Sequence, residues 1–305
     1  MKKNNLAPIA LFVYNRISHL KLVISNLKKN DLAILSELIV FSDGAKKKED
    51  IDNIKKIRIL LKKIKGFKKI YIIERDTNFG LSKNITDGVT FVLRKYKNII
   101  VLEDDLLVGR NFLKYMNKGL ALYEKDKNVA SIHGYIYPIN NLSHKINANT
   151  FFIKGADCWG WGTWGRAWSN FEKNGKKLLR ELKKKNLVKV FNFNNNYDYY
   201  QMLKDQVAKK NNSWAIRWYA SCFLKDMHTL YPVASFVKNI GIDNSGENST
   251  LDLLNLANKK FNKTDYKITR QPVVESKIAR EEIELFFKNK ISFKIKNIIK
   301  NIFNV

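Results

Sequence analysis

Three adjacent carboxylates, Glu103, Asp104 and Asp105, follow directly after the apolar residues 99–102. Such an apolar run is typical of a buried β-strand, which would fix the acids rigidly at its carboxyl end. Neighbouring carboxylates repel one another unless a positive charge lies between them. A hard divalent cation takes oxygen ligands from one or two carboxylates and from phosphate groups. The triplet therefore indicates a metal site for a phosphorylated ligand, and a solvated acidic turn before a helix is the alternative.

Two other polar clusters also follow apolar runs. Asn15 and Arg16 follow the run IALFVY, and Asp43 and Gly44 end the segment ELIVFSDG. Helical patterns lie between the runs, for example apolar residues at i, i+3, i+4 and i+7 in HLKLVISNLKKN. This alternation predicts an α/β fold with a mostly parallel sheet flanked by helices. Ligands bind beyond the carboxyl ends of the strands in such sheets, so we expect the three clusters at one edge.

The chain of 305 residues carries 56 Lys and Arg against 28 Asp and Glu, a net charge of +28. This excess favours an anionic partner, namely nucleic acid, a membrane surface or a phosphorylated substrate. A coding bias toward Lys, Asn and Ile is the alternative. No helix-turn-helix, RNA-binding signature or basic motif with interleaved aromatics is visible, so we expect no nucleic-acid partner. A basic nucleic-acid- or membrane-binding protein without catalysis stays as the rival hypothesis.

Histidine and cysteine contents are low. The four histidines, at positions 19, 133, 144 and 228, have no paired spacing, which argues against a metal-dependent hydrolase, the third hypothesis. Cys158 and Cys222 lie far apart and have no metal-ligand spacing. We therefore expect no disulfide framework. We expect a reducing compartment, the cytoplasm.

An ordered set of segments resembles the GT-A glycosyltransferases, most closely the N-acetylglucosaminyltransferase I-like branch. The segments include PIALFVYNRISHL, LIVFSDG, NFGLSKNITDGV, VLEDDLLVGRNFLKYMN and CWGWGTWGRAW. The later segments YDYYQMLKDQ, NSWAIRWYASCFL and LYPVASFVKNIGIDNSG resemble bacterial polysaccharide-assembly transferases, and all segments together cover roughly residues 7–250. The resemblance implies a GT-A (Rossmann-like) fold and metal-dependent, inverting transfer of a sugar. The donor would be a nucleotide sugar, with UDP expected, and the acceptor a glycan or lipid-linked glycan.

The resemblance also implies roles for single residues. Asp105 would bind Mn²⁺, or Mg²⁺, bridging the donor diphosphate. Asp43 would accept a hydrogen bond from the uracil or ribose, and Arg16 would contact the nucleotide. Asn84 stands where the relative carries a histidine, so its role is open. The residues expected to contact the nucleotide sugar are Arg16, Asp43, Asn84, Glu103 and Asp104.

An inverting transferase needs a general base that takes the proton of the acceptor hydroxyl. In the relative, an aspartate of a Trp-rich segment does this, but the most similar segment here, SWAIRW, offers Ala215 and Ile216. Asp205 is the first choice, because it lies near the end of a predicted helix just before that segment, which we predict to be a strand. The alternatives are Asp198, Asp157 and Glu247.

The segment CWGWGTWGRAW places four tryptophans within ten residues. Aromatic rings pack on the apolar faces of sugars, and tryptophan offers the largest such surface. We expect Trp159 and Trp161 to bind the acceptor, and core packing is the alternative for any of the four.

The sequence thus predicts three parts: a nucleotide-sugar-binding half (residues 1–125), an acceptor-binding half with the Trp-rich segment (126–264) and a C-terminal helical tail (265–305). In the tail, one helical face carries isoleucines and lysines lie off it, a pattern typical of a helix in a membrane interface. The isoleucines are Ile291, Ile295, Ile298, Ile299 and Ile302. We expect peripheral attachment to the inner face of the plasma membrane, and packing on the globular domain is the alternative.

Overall fold

The computed structural model describes residues 6–243 and 268–303, with the helical backbone alone for residues 291–303. The strands are β1 (Ile9–Val13), β2 (Glu37–Ser42), β3 (Lys69–Glu74), β4 (Asn98–Glu103), β5 (Leu106–Val108), β6 (Val129–His133), β7 (Thr150–Ile153), β8 (Trp161–Trp164), β9 (His228–Pro232) and β10 (Val237–Asn239). The helices are α1 (Ile17–Lys28), α2 (Ile51–Lys62), α3 (Gly80–Leu93), α4 (Phe112–Leu122), α5 (Leu142–Lys145), α6 (Gly165–Trp168), α7 (Gly175–Lys184), α8 (Val188–Phe191), α9 (Tyr199–Val207), α10 (Ala215–Leu224) and α11 (Lys277–Phe303).

Eight strands form one sheet in the order β3-β2-β1-β4-β8-β6-β9-β7. The first four are parallel, β8 runs antiparallel between β4 and β6, β9 is parallel to β6, and β7 is antiparallel at the edge. All five residues of β1 are buried, as expected for a strand covered on both faces. The predicted α/β fold with a mostly parallel sheet is confirmed. Because the sheet runs through both predicted halves, the division at residue 125 stays a prediction.

The segment SWAIRW is not a strand, and this prediction was wrong. Residues Ala215–Leu224 form α10, whose buried side chains include Ile216, Trp218 and Tyr219. A short apolar run fits a buried strand and a buried helix equally well. Here the run continues for ten residues, which is long enough for almost three helical turns.

The C-terminal helix α11 packs its first part on the domain, where Ala279, Ile283, Phe286 and Phe287 are buried. The isoleucine face of the tail belongs to residues 291–303, whose side chains lie outside the described ones. Among the described residues, no helix is both long enough and apolar enough to cross a membrane.

Candidate functional site

The carboxyl ends of β1, β2 and β4 meet at one edge of the sheet. β1 lies between the other two, with Val13 opposite Ser42 and Phe12 opposite Glu103. The polar residues that follow the three strands therefore lie close together. Arg16 Nη2 contacts Asp104 Oδ1 and lies 2.9 Å from Asp105 Oδ2.

Asp104 joins the ends of β1 and β4. Its buried carboxylate accepts hydrogen bonds from the Arg16 guanidinium and, at 3.0 Å, from the backbone N–H of Tyr14. Burial raises the pKa of Asp104, and the charge of Arg16 opposes this shift. These contacts direct Asp104 toward the protein, where it orients Arg16. Its predicted contact with the donor sugar stays a prediction.

Glu103 and Asp105 are the two acids of the triplet that are partly exposed. The pKa of Glu103 is raised well above its ordinary value, because burial and repulsion from Asp105 and Asp104 outweigh the attraction of Arg16. Burial lowers the pKa of Arg16, but attraction and hydrogen bonds from Asp104 and Asp105 outweigh it and raise the pKa overall. An added cation would relieve the repulsion at Glu103.

Two carboxylates suit a divalent cation that takes its other ligands from phosphate and water. Within residues 6–243 and 268–303, no group of three or more His, Cys, Asp or Glu side chains is arranged to hold a metal ion. Glu103 and Asp105 therefore fit a cation that binds together with a diphosphate. They do not form a cage made by the protein alone.

A segment from the end of the domain returns over the acids. Strand β10 pairs antiparallel with β5, so Asn239 lies opposite Leu106, directly after the triplet. The backbone N–H of Ile240 then donates to the backbone oxygen of Asp105 at 2.9 Å. At Gly241, a Cβ atom would lie 2.2 Å from Asp105 Oδ2 and 2.7 Å from Arg16 Nη1. Only glycine allows this approach of the backbone to the acids.

We expect Gly241→Ala to displace Asp105 or Arg16 and to lower activity by about 10²-fold, since displacements of about 1 Å have effects of this size. Mn²⁺-dependent binding of UDP, followed by calorimetry, should weaken in parallel. Gly165→Ala is the matched control, because the nearest atom to its added Cβ, Leu93 O, lies at 3.7 Å. Normal activity of Gly241→Ala would show that the returning segment does not shape the site.

Asp43 is buried after β2 and accepts four hydrogen bonds from its own chain. Its Oδ1 accepts from the backbone N–H groups of Gly44 (2.9 Å) and Phe79 (2.8 Å). Its Oδ2 accepts from the Gly80 backbone (3.0 Å) and from Asn78 Nδ2 (3.3 Å). A carboxylate has about four acceptor positions, and all are used. Asp43 therefore fixes the loop before α3, and its contact with the uracil or ribose stays a prediction.

Asn84 lies on α3, and its Oδ1 accepts a hydrogen bond from Arg75 Nε at 3.3 Å. Arg75 follows β3 at the same edge of the sheet, and its guanidinium lies over the ring of Phe79 at 4.5 Å. Sequence reasoning missed Arg75, although its place after a strand was the available signal. A nucleotide contact of Asn84 stays a prediction, with Arg75 as its neighbour.

A cavity of about 250 Å³ is lined by Cys158 and Trp159, which shortly precede β8. β8 pairs antiparallel with β4, with Trp161 opposite Val101, so the residues before β8 lie toward the end of β4 that carries the triplet. The pKa of the Cys158 thiol is raised by burial and then by the charges of Glu103, Asp157 and Asp105. The lining residues are Tyr135, Tyr137, Gly155, Ala156, Asp157, Cys158, Trp159, Phe193, Tyr197, Tyr199, Met202, Ser213, Ala215, Ile216, Tyr219 and Phe287.

Two tyrosines hold the carboxylate of Asp157. The Tyr137 hydroxyl lies 2.9 and 2.8 Å from its two oxygens, and the Tyr231 hydroxyl donates to Oδ2 at 2.8 Å. Burial raises the pKa of Asp157, and the two tyrosine hydrogen bonds oppose this shift. A carboxylate with a raised pKa in a cleft is typical of a general base.

The sequence profile described as "Glycosyl transferase family 2" matches residues 9–171, more than half of the chain. The chain belongs to glycosyl transferase family 2. The matched part contains the strand ends of the site, the acid triplet and Asp157. The narrower resemblance to the N-acetylglucosaminyltransferase I-like branch stays a prediction. A search of curated proteins finds no significant match.

Three solved structures are similar to this family 2 chain at low identity. Staphylococcus aureus TarS has 15% identity and a TM-score of 0.31, over 41% of this chain and 21% of TarS. S. aureus TarS 1–349 has 14% identity and a TM-score of 0.31, over 41% and 34%. The mannosyltransferase PcManGT from Pyrobaculum calidifontis, in complex with GDP-Man and Mn²⁺, has 9% identity and a TM-score of 0.37, over 73% and 71%. The alignments thus span only about a fifth and a third of the two TarS chains.

The two other candidate bases that the structure describes do not line the cavity. Asp205 accepts a hydrogen bond from Gln201 Nε2 at 2.9 Å, one turn earlier on α9. Asp198 caps the start of α9 by accepting from the Gln201 backbone at 2.9 Å. Glu247 lies outside the described residues. Of the three candidates within the described residues, the family 2 chain brings one, Asp157, to the cavity.

The two tryptophans expected to bind the acceptor differ in position. Trp159 is partly exposed and lines the cavity. Trp161 is fully buried in β8, where its ring packs against Trp168, Trp214 and Trp218. Trp161 thus belongs to the core, because β8 lies inside the sheet between β4 and β6 and three other tryptophans enclose its ring.

Proposed function

We propose that the protein transfers a sugar from a nucleotide-diphosphate donor, with UDP expected, to an acceptor hydroxyl, with inversion. The supporting observation is that Asp157 lines a cavity in the segment before β8, which the antiparallel pairing of β8 with β4 brings toward the acid triplet. Donor and acceptor sites of an inverting transferase must adjoin, since the acceptor oxygen attacks the carbon that the nucleotide leaves. The acceptor would be a glycan or a lipid-linked glycan.

The donor would lie across the ends of β1, β2 and β4. Mn²⁺ or Mg²⁺ would be held by Asp105 and Glu103, and when bound it would neutralise charge on the leaving diphosphate. Arg16 adds a fixed positive charge beside Asp105, 2.9 Å from its Oδ2. The guanidinium keeps its proton at any pH of interest and so can attract phosphate without proton transfer.

Asp157 would take the proton of the acceptor hydroxyl. The Tyr137 and Tyr231 hydroxyls fix its position, and Trp159 offers an aromatic face in the same cavity. This assignment replaces Asp205, our first choice from the sequence. A pre-oriented base near its substrate avoids the entropic cost of finding the reactive geometry.

The proposed base implies a pH dependence that Tyr137→Phe should change. The donated hydrogen bond favours the charged carboxylate, so its loss raises the pKa of Asp157. The base works only when deprotonated, so the acidic limb of the pH profile of kcat should move to higher pH. Five other titratable groups face Asp157, but the pKa of each is raised, so they stay protonated over the acidic limb. They are Tyr231, Tyr199, Tyr197, Tyr219 and Cys158.

Tyr200→Phe is the control for this pH measurement, because Tyr200 does not line the cavity. Its profile should match that of the unaltered protein. An acidic limb that stays in place in Tyr137→Phe would argue against Asp157 as the titrating base.

A panel of UDP-, GDP- and dTDP-sugars tests the function directly. We expect slow, Mn²⁺-dependent release of the nucleoside diphosphate from at least one UDP-sugar, and inhibition by EDTA. Thermal shifts with the same nucleotides, with DNA and with Mn²⁺ alone would separate a transferase from the nucleic-acid-binding and hydrolase hypotheses. Stabilisation by DNA, with no effect of any nucleotide sugar, would overturn the proposal.

Peripheral membrane attachment through the tail is a separate proposal. Residues 288–305 contain five lysines, and each lysine near an anionic surface contributes about 1 kcal/mol. Deletion of residues 288–305 leaves the packed residues Phe286 and Phe287 in place, so the domain should fold and act on a soluble acceptor. The truncated protein should no longer sediment with anionic vesicles. Full-length protein that ignores such vesicles at low salt would contradict the attachment.

A further inference from the structure

The wall of the cavity beside Asp157 is mainly apolar, and eight of the sixteen residues that line it are aromatic. Asp157 is the one charged side chain among the described residues that line it. The Tyr137 hydroxyl is directed at Asp157, and the Tyr219 hydroxyl donates to the backbone oxygen of Phe191 at 2.9 Å. Ser213 Oγ accepts from the backbone N–H of Ile216 at 3.2 Å. The Tyr137 and Tyr219 hydroxyls are therefore engaged within the protein, and aromatic rings and aliphatic side chains make up most of the rest of the wall.

The C-terminal helix α11 completes this apolar wall. Phe287 lines the cavity, with its ring centroid 5.0 Å from Tyr137 and 4.8 Å from Tyr197. Phe286 stacks on Tyr137 at 5.7 Å. Helix α11 is thus part of the site and not only a connection to the tail.

A buried arginine fixes α11 in this position. Arg280 Nε donates to Glu284 at 2.7 Å, and its Nη2 donates to the backbone oxygen of Val190 at 2.6 Å. Its guanidinium also lies 3.7 Å from the ring centre of Phe193, which lines the cavity. Arg280 therefore contacts both sides of the wall, helix α11 and Phe193.

We propose that the acceptor places an apolar group, such as a hydrocarbon aglycone, in this cavity beside its reactive hydroxyl. A sugar unit with a full set of hydroxyls would leave most of them unpaired against this wall, which is unfavourable. The transfer of an apolar group from water into this cavity is favourable in free energy. The inference rests on the proposed function, because it takes the hydroxyl next to Asp157 as the nucleophile.

Simple glycosides test the inference without knowledge of the natural acceptor. Calorimetric titrations of the full chain with UDP and Mn²⁺ would use octyl β-D-glucoside below its micelle concentration and methyl β-D-glucoside. Methyl 6-deoxy-β-D-glucoside, which lacks only the O6 hydroxyl, separates a hydrocarbon aglycone from an apolar sugar substituent as the source. We expect the octyl or the 6-deoxy glycoside to bind at least about tenfold more tightly than methyl glucoside.

Met202→Gln should remove this preference, because it places an amide in the wall at nearly constant volume on a partly exposed position. Met202→Leu should retain it. Leu285→Gln is the control outside the cavity, at a side chain that is half-exposed on α11. The cavity mutants should keep their affinity for UDP with Mn²⁺, which also shows that they are folded.

Equal affinities for all three glycosides, with normal UDP binding, would overturn the inference and leave the proposed function standing. The same holds if Met202→Gln retains the full preference. If the unaltered protein does not bind UDP with Mn²⁺, the proposed function itself fails. The two failures are therefore distinguishable in one series of titrations.

Discussion

Asp105→Ala should lose sugar transfer and Mn²⁺-dependent UDP binding while the domain remains folded. A metal that stabilises a leaving diphosphate contributes several kcal/mol. Since about 1.4 kcal/mol corresponds to a factor of ten, a loss of about 10²–10³-fold or more in kcat/KM follows. Arg16 keeps its contact with Asp104, so the joined ends of β1 and β4 should survive the substitution. Activity measurements and UDP titrations with and without Mn²⁺ check both effects.

Asp31→Ala is the matched control for this substitution. Asp31 is an exposed acid whose partner, Arg110, lies 3.3 Å away at the surface. Its removal should leave activity and UDP binding unchanged. Near-normal transfer by Asp105→Ala, with a normal melting temperature, would show that the metal does not bind at the triplet.

The sheet edge at the carboxyl ends of β1, β2 and β4 could be predicted because its signals are local in sequence. Each strand has five or six residues with an apolar run of four or five, and the polar residues of the site follow closely. The parallel arrangement then brings Arg16, Asp43 and Asp105 to one edge without further information. What the pattern could not give is the direction of each side chain. Asp43 and Asp104 have the predicted place, but their oxygens are used by their own chain.

The cavity could not be predicted in the same way. Tyr137, Asp157 and Tyr231 are separated by 20 and 74 residues along the chain, and their contact depends on the tertiary structure. No period or motif connects them. Gly241 likewise reaches the acids only because β10 pairs with β5, and the Gly-containing loop gave no sign of that pairing. The choice of Asp205 also relied on the wrong assignment of SWAIRW to a strand, and Asp205 does not line the cavity.

Asp157→Asn should lower kcat by about 10²–10⁴-fold, the usual contribution of a general base. Asparagine can still accept hydrogen bonds from Tyr137 and Tyr231 through its carbonyl oxygen, so the cavity should keep its shape. It cannot take a proton from the acceptor hydroxyl. UDP binding with Mn²⁺ should change little, because the proposed base contacts the acceptor and not the donor.

Asp205→Asn is the decisive comparison, since it makes the same chemical change at the base that the sequence alone favoured. Asp205 pairs with Gln201 on one face of α9 and does not line the cavity, so turnover should stay within about twofold of normal, as expected for a surface substitution of small effect. The two variants, assayed with one donor and one acceptor, give opposite results for the two hypotheses. If Asp205→Asn loses turnover and Asp157→Asn does not, α9 must turn toward the acceptor during the reaction. The carboxylate held by the two tyrosines would then serve only the fold.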